Sequence, residues 1–161
     1  MQEKKVKRGY TGIGIYNPKT ADNMGTLWRS AYLYGVDFIF TIGERYKKQP
    51  TDTLKAVRRI PLFNFKTWED FKESIPKESE LVLVEQGGKP LQTIKHPTNA
   101  VYVLGAEDNG IPEEYLRGNR VVEIESSGIS SLNVATAGTI ILYDRFVKSL
   151  TPTTKQYITS Y

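Results

Sequence analysis

The chain has 161 residues, 39% of them hydrophobic and 25% charged, which is the size and mixture of one compact globular domain. It has no cysteine and one histidine, His96, so disulfides, thiolate nucleophiles and Cys-ligated zinc are excluded, and a metal site or a Ser-His-Asp triad is hard to build. There is no apolar run of the roughly eighteen residues that a membrane span needs, and the start of the chain is polar. We therefore expect a cytoplasmic protein, and the net charge of +4 hints at an acidic partner.

Short runs of β-branched and aromatic residues, several of them apolar on both faces, predict the strands of a parallel sheet. The predicted strands are Gly12 to Tyr16, Val36 to Ile42, Leu81 to Glu85, Ala100 to Leu104 and Arg120 to Ile124. Gly12 and Gly14 invite comparison with a dinucleotide-binding loop. The third glycine is missing and the pair lies inside a strand, so this interpretation is disfavoured.

Helical patterns lie between these strands. The clearest begins after Asp22 or Asn23, either of which could cap it, and Gly35 suits the left-handed position past its end. Three further helices are predicted, over Thr67 to Ser74, Pro112 to Gly118 and about Leu132 to Ser149. Alternating strands and helices without a linker predict a single α/β three-layer domain of residues 1–161. Its functional loops should follow the carboxyl ends of the strands, at Tyr16, Glu85, Leu104 and Ile124.

Three of these loops carry polar and glycine residues in a suggestive order. The first leads through Asn23 and Gly25 to Arg29, the second runs from Gly105 through Glu107 to Gly110, and the third leads into a helix. The third loop contains Ser130, Ser131 and Asn133. Taken one at a time, the loops have ordinary explanations as a solvated arginine, a capping acid and helix-capping residues.

Taken together, the three segments resemble the motifs of the SpoU branch of the SPOUT superfamily of RNA ribose methyltransferases. Asn23, Gly25 and Arg29 match the first motif, and Ser131, Leu132, Asn133 and Val134 match the third. The second motif is matched by Leu104, Gly105, Glu107 and Gly110. The chain departs from the family at Asp22, where glycine is usual, and at Glu125-Ser126, where many members have Pro-Met.

The resemblance implies transfer of a methyl group from S-adenosylmethionine to a ribose 2′-hydroxyl, most readily of tRNA and next of rRNA. Arg29 would act on the hydroxyl, either as a transient base or by positioning a phosphate, because an arginine with a pKa above about 12 is a poor general base. Asn23 would orient Arg29 or the ribose, and Glu107 would hold Arg29 or its own loop. Ser131 and Asn133 would complete the reactive pocket.

The resemblance also implies a Rossmann-like parallel sheet with a C-terminal deep trefoil knot, whose loops bind the cofactor. The expected cofactor contacts are Leu104, Gly105, Gly110, Ile124, Leu132 and Val134, and no metal is needed. A homodimer is implied as well. Trp28 and Tyr32 are compatible with a dimer face, although packing within the chain's own core is the more ordinary explanation.

RNA contact is expected from two basic stretches, which could otherwise be ordinary solvated surface. One is an arm over residues 1–11 with Lys4, Lys5, Lys7 and Arg8, and the other contains Lys47, Lys48, Lys55, Arg58 and Arg59. No separate RNA-binding domain is expected. Two alternatives to the enzyme stay open: a catalytically silent RNA-binding relative of the same fold, and an unrelated α/β nucleotide-binding enzyme.

Overall fold

The computed structural model describes residues 9–45 and 59–150, which form one six-stranded sheet with helices on both faces. Every strand pairing in the sheet is parallel, and the strand order is β3-β2-β1-β5-β4-β6. The strands are β1 (Thr11–Tyr16), β2 (Phe38–Ile42), β3 (Leu62–Phe65), β4 (Glu80–Pro90), β5 (Ala100–Gly105) and β6 (Arg120–Glu123). This confirms the predicted parallel α/β sheet.

Residues 9–45 and 59–150 contain four α-helices, of which the last follows the final strand, and one turn of 3-10 helix (Leu91–Thr93) follows β4. The α-helices are α1 (Ala21–Leu33), α2 (Trp68–Ser74), α3 (Glu113–Leu116) and α4 (Val134–Ser149). In the described ranges, no helix is long and apolar enough to cross a membrane.

The helix ends correct one detail of the sequence prediction. Asp22 and Asn23 do not cap α1, because the helix begins at Ala21 with Thr20 at the capping position. At the other end Gly35 has φ +68, the left-handed conformation that was predicted for it. Thr67 caps α2, its side chain accepting a hydrogen bond from the Asp70 backbone N–H at 3.1 Å.

Two apolar clusters cover the two faces of the sheet. The sheet is thus the middle layer of three, with helices on either side. On one face α1 and α4 pack on the sheet and on each other, and Ile13 and Ile15 of β1 point into this cluster. On the other face Trp68 and Phe71 of α2 pack against β2, β4 and β5. Both faces are therefore buried, as the apolar runs in the central strands predicted.

The glycines of β1 have a packing role. Gly12 and Gly14 are in register with Phe38 and Phe40 of β2. A Cβ built on Gly12 would lie 2.3 Å from the Phe38 ring, and one built on Gly14 would lie 2.3 Å from the Phe40 ring. The two aromatic rings thus lie over the space that side chains on β1 would fill, and neither glycine is at a strand-to-helix turn.

The edge strand β3 was missed by the sequence prediction. It has only four residues, none of them fully buried, and follows Pro61. Its polar residue Asn64 accepts a hydrogen bond from Thr41 Oγ1 of β2 at 2.7 Å. A short, half-exposed edge strand lacks the double-sided apolar pattern that indicated the other five.

Candidate active site

Three side chains from the three predicted motifs meet beyond the carboxyl ends of β1 and β5. Asn23 Nδ2 donates to Glu107 Oε1 at 2.9 Å, and Asn133 Nδ2 donates to the same oxygen at 2.9 Å. Asn133 Nδ2 also donates to Asn23 Oδ1 at 2.9 Å. We call Asn23, Glu107 and Asn133 the amide–carboxylate triangle; it joins segments that lie far apart in the sequence.

The local fold at α4 fixes the orientation of the Asn133 amide. Asn133 is the N-cap of α4, and its Oδ1 accepts hydrogen bonds from the backbone N–H groups of Ala135 at 3.0 Å and Thr136 at 3.1 Å. With the oxygen committed to the helix terminus, the amide NH₂ must point toward Asn23 and Glu107. Asn133 thus caps a helix and also donates hydrogen bonds to one residue from each of the other two motifs. The helix therefore starts two residues later than the predicted Leu132.

Arg29 lies apart from the triangle. Its side chain is exposed on α1, and within the described residues it forms no hydrogen bond or ion pair. The expected contact between Glu107 and Arg29 is absent from the described residues, where Glu107 Oε1 instead accepts from the side chains of Asn23 and Asn133.

An open cavity of about 900 Å³ lies next to the triangle, at the carboxyl ends of β4, β5 and β6. Glu107 and Ser131 line it. All six residues predicted to contact a cofactor also line it: Leu104, Gly105, Gly110, Ile124, Leu132 and Val134. The six residues that the sequence prediction assigned to cofactor binding therefore lie together around one cavity.

The loop after β5 forms the tightest wall of this cavity. Ala106 and Gly110 form an antiparallel bridge, in which the Gly110 N–H donates to the Ala106 carbonyl at 2.9 Å. Gly110 has φ +61, and a Cβ on Gly105 would lie 2.8 Å from the Gly110 backbone. Both glycines are required by this close approach, which leaves backbone groups facing the cavity.

The cavity suits a nucleoside cofactor such as S-adenosylmethionine. Its volume lies in the range typical of small-molecule sites, and its walls combine aliphatic side chains with backbone and hydroxyl groups. Leu104, Ile124, Leu132 and Val134 offer apolar surface for an adenine ring, while Ser130 and Ser131 offer hydroxyls. In residues 9–45 and 59–150, no group of three or more side chains could hold a metal ion.

Three further acids line the cavity that sequence reasoning did not assign to the site: Glu85, Glu123 and Glu125. Glu85 Oε2 accepts from the Ile111 N–H at 3.1 Å, and Glu123 Oε2 accepts from the Gly87 N–H at 2.9 Å. Glu125, at one departure from the family pattern, accepts from the Gln92 side chain. The available signal was position, because Glu85 ends the strand predicted over Leu81 to Glu85, at the edge of the sheet where ligands bind.

An exposed ion pair ties two loops at the same edge of the sheet. Arg45, just beyond β2, binds both carboxylate oxygens of Asp108 at 2.8 and 3.0 Å, and it also donates to the Asn17 carbonyl at 2.6 Å. The hydrogen bond and the charge of Arg45 lower the pKa of Asp108 to about 2. Asn17 takes φ +51, which directs the chain out of β1. No pattern in the sequence indicated that Arg45 would reach this loop.

Most of the predicted RNA-binding residues lie outside the described part of the chain: Lys4, Lys5, Lys7, Arg8, Lys47, Lys48, Lys55 and Arg58. Arg59 is described; its guanidinium donates to the Tyr32 hydroxyl at 3.1 Å and lies 5.9 Å from the centre of that ring. Tyr32 is 46% exposed, whereas Trp28 is buried in the chain's own core. Trp28 therefore packs within the chain's own core, the more ordinary of the two explanations, whereas Tyr32 does not.

Solved structures of similar fold are RNA methyltransferases or relatives described as such. A structure reported for the 2-OH methylation of C/U34 on tRNA superposes with a TM-score of 0.80 at 21% identity, over 87% of this chain and 96% of that one. An AdoMet-bound rRNA methyltransferase from Sinorhizobium meliloti gives a TM-score of 0.74 at 25% identity, over 91% of this chain and 59% of that one. The TrmH/SpoU tRNA modifying enzyme of A. aeolicus gives 0.75 at 18% identity, over 89% and 77%.

No curated protein matches the chain in sequence. The model of one family does match it, over residues 11–143, a range that begins with β1 and ends within α4. This range contains the amide–carboxylate triangle and every residue that lines the cavity. The chain belongs to the SpoU rRNA Methylase family.

Proposed function

We propose that the protein is an S-adenosylmethionine-dependent RNA methyltransferase that modifies a ribose 2′-hydroxyl. The observation that carries this proposal is the amide–carboxylate triangle beside a cavity of cofactor size. Family membership and a similar structure reported for 2-OH methylation on tRNA support it. AdoMet-bound relatives support the choice of cofactor.

The cofactor would supply a methyl group activated by its positive sulfonium, so the protein's task is placement. Gly105, Gly110, Ile124 and Leu132 would hold the cofactor through backbone groups, with Leu104 and Val134 as apolar contacts. Holding the two reacting atoms in line can contribute roughly 7 to 11 kcal/mol to the rate. No metal is required by this chemistry.

The triangle would keep the three motifs in one geometry. Asn23 would orient the ribose or Arg29, Glu107 would hold the Asn23 and Asn133 amides, and Ser131 would add a hydroxyl at the cavity wall. Arg29, exposed on α1, would position an RNA phosphate beside the attacking oxygen or accept its proton transiently. Its exposure in the structure suits contact with an incoming substrate.

Transfer of labelled methyl from S-adenosylmethionine to bulk tRNA and rRNA tests the proposal. We expect transfer to tRNA first, because the tRNA-related structure matches nearly the full length of both chains. Arg29→Ala should abolish transfer while calorimetry still detects cofactor binding. Salt-dependent RNA binding without any transfer would identify a silent RNA-binding relative instead. Failure to bind S-adenosylhomocysteine, with binding of another nucleotide, would favour an unrelated nucleotide enzyme.

The two basic stretches are proposed RNA contacts, the first in the arm and the second ending at Arg58 and Arg59. The affinity of each phosphate contact should fall as salt rises, because counterions are released on binding. Replacing Lys4, Lys5, Lys7 and Arg8 together by alanine should therefore weaken RNA binding and flatten its salt dependence. Methyl transfer at saturating RNA should fall less than binding.

A cytoplasmic homodimer is proposed for the working form of the enzyme. Helices α1 and α4 pack on each other and leave five large apolar side chains partly exposed: Tyr32, Leu33, Tyr143, Phe146 and Val147. Leu33 is 73% exposed, an unusual position for a leucine beside other apolar groups. Sedimentation should give a dimer mass that Leu33→Lys with Val147→Lys reduces to a monomer.

A C-terminal trefoil knot is proposed on the pairing of β6. Val122 is in register with both Val84 and Lys89 of β4, on either side of a shift in register. A Cβ on Gly88 would lie 2.7 Å from the Val121 carbonyl, so this segment passes directly against β6. In the SpoU resemblance the chain end after such a strand threads through a preceding loop, an arrangement that is rare in proteins. An experimental structure traced through residues 80–150 tests it.

A further inference from the structure

The cavity is negatively charged although the chain as a whole is positive. Four glutamates line it, Glu85, Glu107, Glu123 and Glu125, whereas no lysine, arginine or histidine of residues 9–45 and 59–150 does. Within the described ranges none of the four carboxylates forms an ion pair; their partners are neutral N–H groups. A net charge of +4 makes this local excess of acid distinct from the bulk of the molecule. Four like charges around one cleft favour a cationic occupant.

Glu85 is the most firmly placed of these acids. Its Oε1 accepts from the Gln86 N–H at 3.0 Å and its Oε2 accepts from the Ile111 N–H at 3.1 Å. A Cβ on Gly110 would lie 2.6 Å from the same Oε2, so the carboxylate packs directly on the glycine of the second motif. The side chain is half-buried. Its charge is thus held at the junction of β4 and the cavity's tightest loop.

We propose that Glu85 is a specificity-determining residue, through which the cavity prefers the sulfonium cofactor to its demethylated product. This inference rests on the proposed function. In the proposed reaction the S–CH₃ bond would break with its electron pair left on sulfur, an O–CH₃ bond would form, and the hydroxyl proton would pass finally to solvent water. The occupant of the cavity thereby goes from a sulfonium to a neutral thioether. A fixed carboxylate stabilises the first and not the second, which helps binding of substrate and release of product.

The test is calorimetric and does not depend on turnover. Dissociation constants of S-adenosylmethionine and S-adenosylhomocysteine are measured with the full-length wild type, with Glu85→Gln and with Glu114→Gln. Glutamine keeps the size of the side chain and removes its charge. Glu114 is an exposed acid on α3 that does not line the cavity, so its variant controls for the loss of one negative charge.

We expect Glu85→Gln to lower the affinity for both ligands by a common factor. The amide has one acceptor oxygen for the two backbone N–H groups, whereas the carboxylate has two. Beyond that factor, the preference for the sulfonium over the thioether should fall roughly threefold to tenfold. An analogue with a protonated amine in place of the S-methyl group should lose affinity as S-adenosylmethionine does. High salt should reduce the wild-type preference more than that of Glu85→Gln, which keeps the other three glutamates. Glu114→Gln should behave as wild type.

Two results would overturn the inference, and they differ from failure of the proposed function. An equal loss of affinity for all three ligands in Glu85→Gln would make Glu85 a structural support for the loop only. An unchanged preference with unchanged affinities would remove it from the site. If the wild type binds none of the three ligands, the proposed function fails and the inference fails with it.

Discussion

Asn133 and Asn23 are 110 residues apart in the sequence, yet the amide nitrogen of Asn133 lies 2.9 Å from the amide oxygen of Asn23. The other end of the Asn133 amide caps α4. One side chain therefore has two duties that a substitution can separate. A variant that keeps the cap and loses the donor tests what the amide–carboxylate triangle does.

Asn133→Asp is the variant that separates them. An aspartate caps a helix as well as asparagine does, but it has no N–H to donate and adds a negative charge beside Glu107. Methyl transfer should fall at least about tenfold, since a bond to a charged group is worth about 1.5 to 3 kcal/mol. Unfolding by urea should show a smaller loss of stability than in Asn133→Ala, which loses about 1 to 2 kcal/mol from the cap alone. Full activity of Asn133→Asp would show that the triangle is dispensable.

The ion pair of Arg45 and Asp108 leads to a prediction about titration. Because Arg45 holds the pKa of Asp108 at about 2, against an ordinary 3.8, the carboxylate stays ionised far into acid. A depressed folded-state pKa favours folding above the ordinary value, and that contribution is lost as the pH falls toward 2. Both groups are exposed, so the effect on stability is small and is screened by salt.

Carboxyl-carbon NMR measures this directly. In the wild type the Asp108 signal should titrate near pH 2, and in Arg45→Gln its midpoint should move up toward the ordinary aspartate value. Lys72→Gln removes a positive charge from α2, away from this edge, and should leave the midpoint in place. A midpoint unchanged in Arg45→Gln would mean that the pair is not formed in solution.

The glycines of β1 allow a matched pair of substitutions. Gly14→Ala should destabilise the protein by about 1 to 3 kcal/mol, because the new Cβ would overlap the ring and carbonyl oxygen of Phe40. Gly128→Ala meets nothing within 4 Å and should change stability by less than about 0.5 kcal/mol. Denaturant unfolding gives both values. Equal stabilities would mean that the packing of Phe40 on β1 is not as tight as the structure has it.

Much of the fold was predictable because the central strands are buried on both faces and therefore carry unbroken apolar runs. Leu62–Phe65 was not, since an edge strand of four half-exposed residues has no such pattern. The rule that parallel strands end at one edge predicted where the functional loops lie, and the resemblance to the SpoU motifs identified Glu107, Asn133 and the cavity residues within them. Which side chains bond to each other did not follow. The partner of Glu107, the reach of Arg45 and the packing of Glu85 on Gly110 depend on three-dimensional positions of loops.

The single histidine lies in a partly buried polar cluster beside α4. His96 Nε2 lies 2.7 Å from Asp144 Oδ2, and His96 Nδ1 lies 2.7 Å from the Tyr102 hydroxyl. Lys148 Nζ lies 2.8 Å from the same Asp144 oxygen. Burial, more than any other factor, lowers the pKa of His96, and Lys148 adds to the shift, although Asp144 opposes it. Burial also raises the pKa of Tyr102 to about 12.

This cluster should make the protein sensitive to acid. The unfolded chain binds a proton at His96 below about pH 6.5, whereas the folded protein has a lower His96 pKa and resists protonation. The contribution of His96 to stability is therefore complete above pH 6.5 and is lost as the pH falls toward the folded-state pKa. Urea unfolding of the wild type and of His96→Gln between pH 7.5 and 5 isolates the contribution of His96 to the free energy of unfolding. The stability of the wild type relative to the variant should decline on acidification. In Lys148→Met the pKa of the His96 imidazole, measured by proton NMR, should rise because a positive neighbour is removed. The Asp144 carboxylate, which His96 shares with Lys148 in the wild type, would then no longer bind the lysine. A wild type whose advantage grows in acid would show that His96 is held as a cation in the folded state.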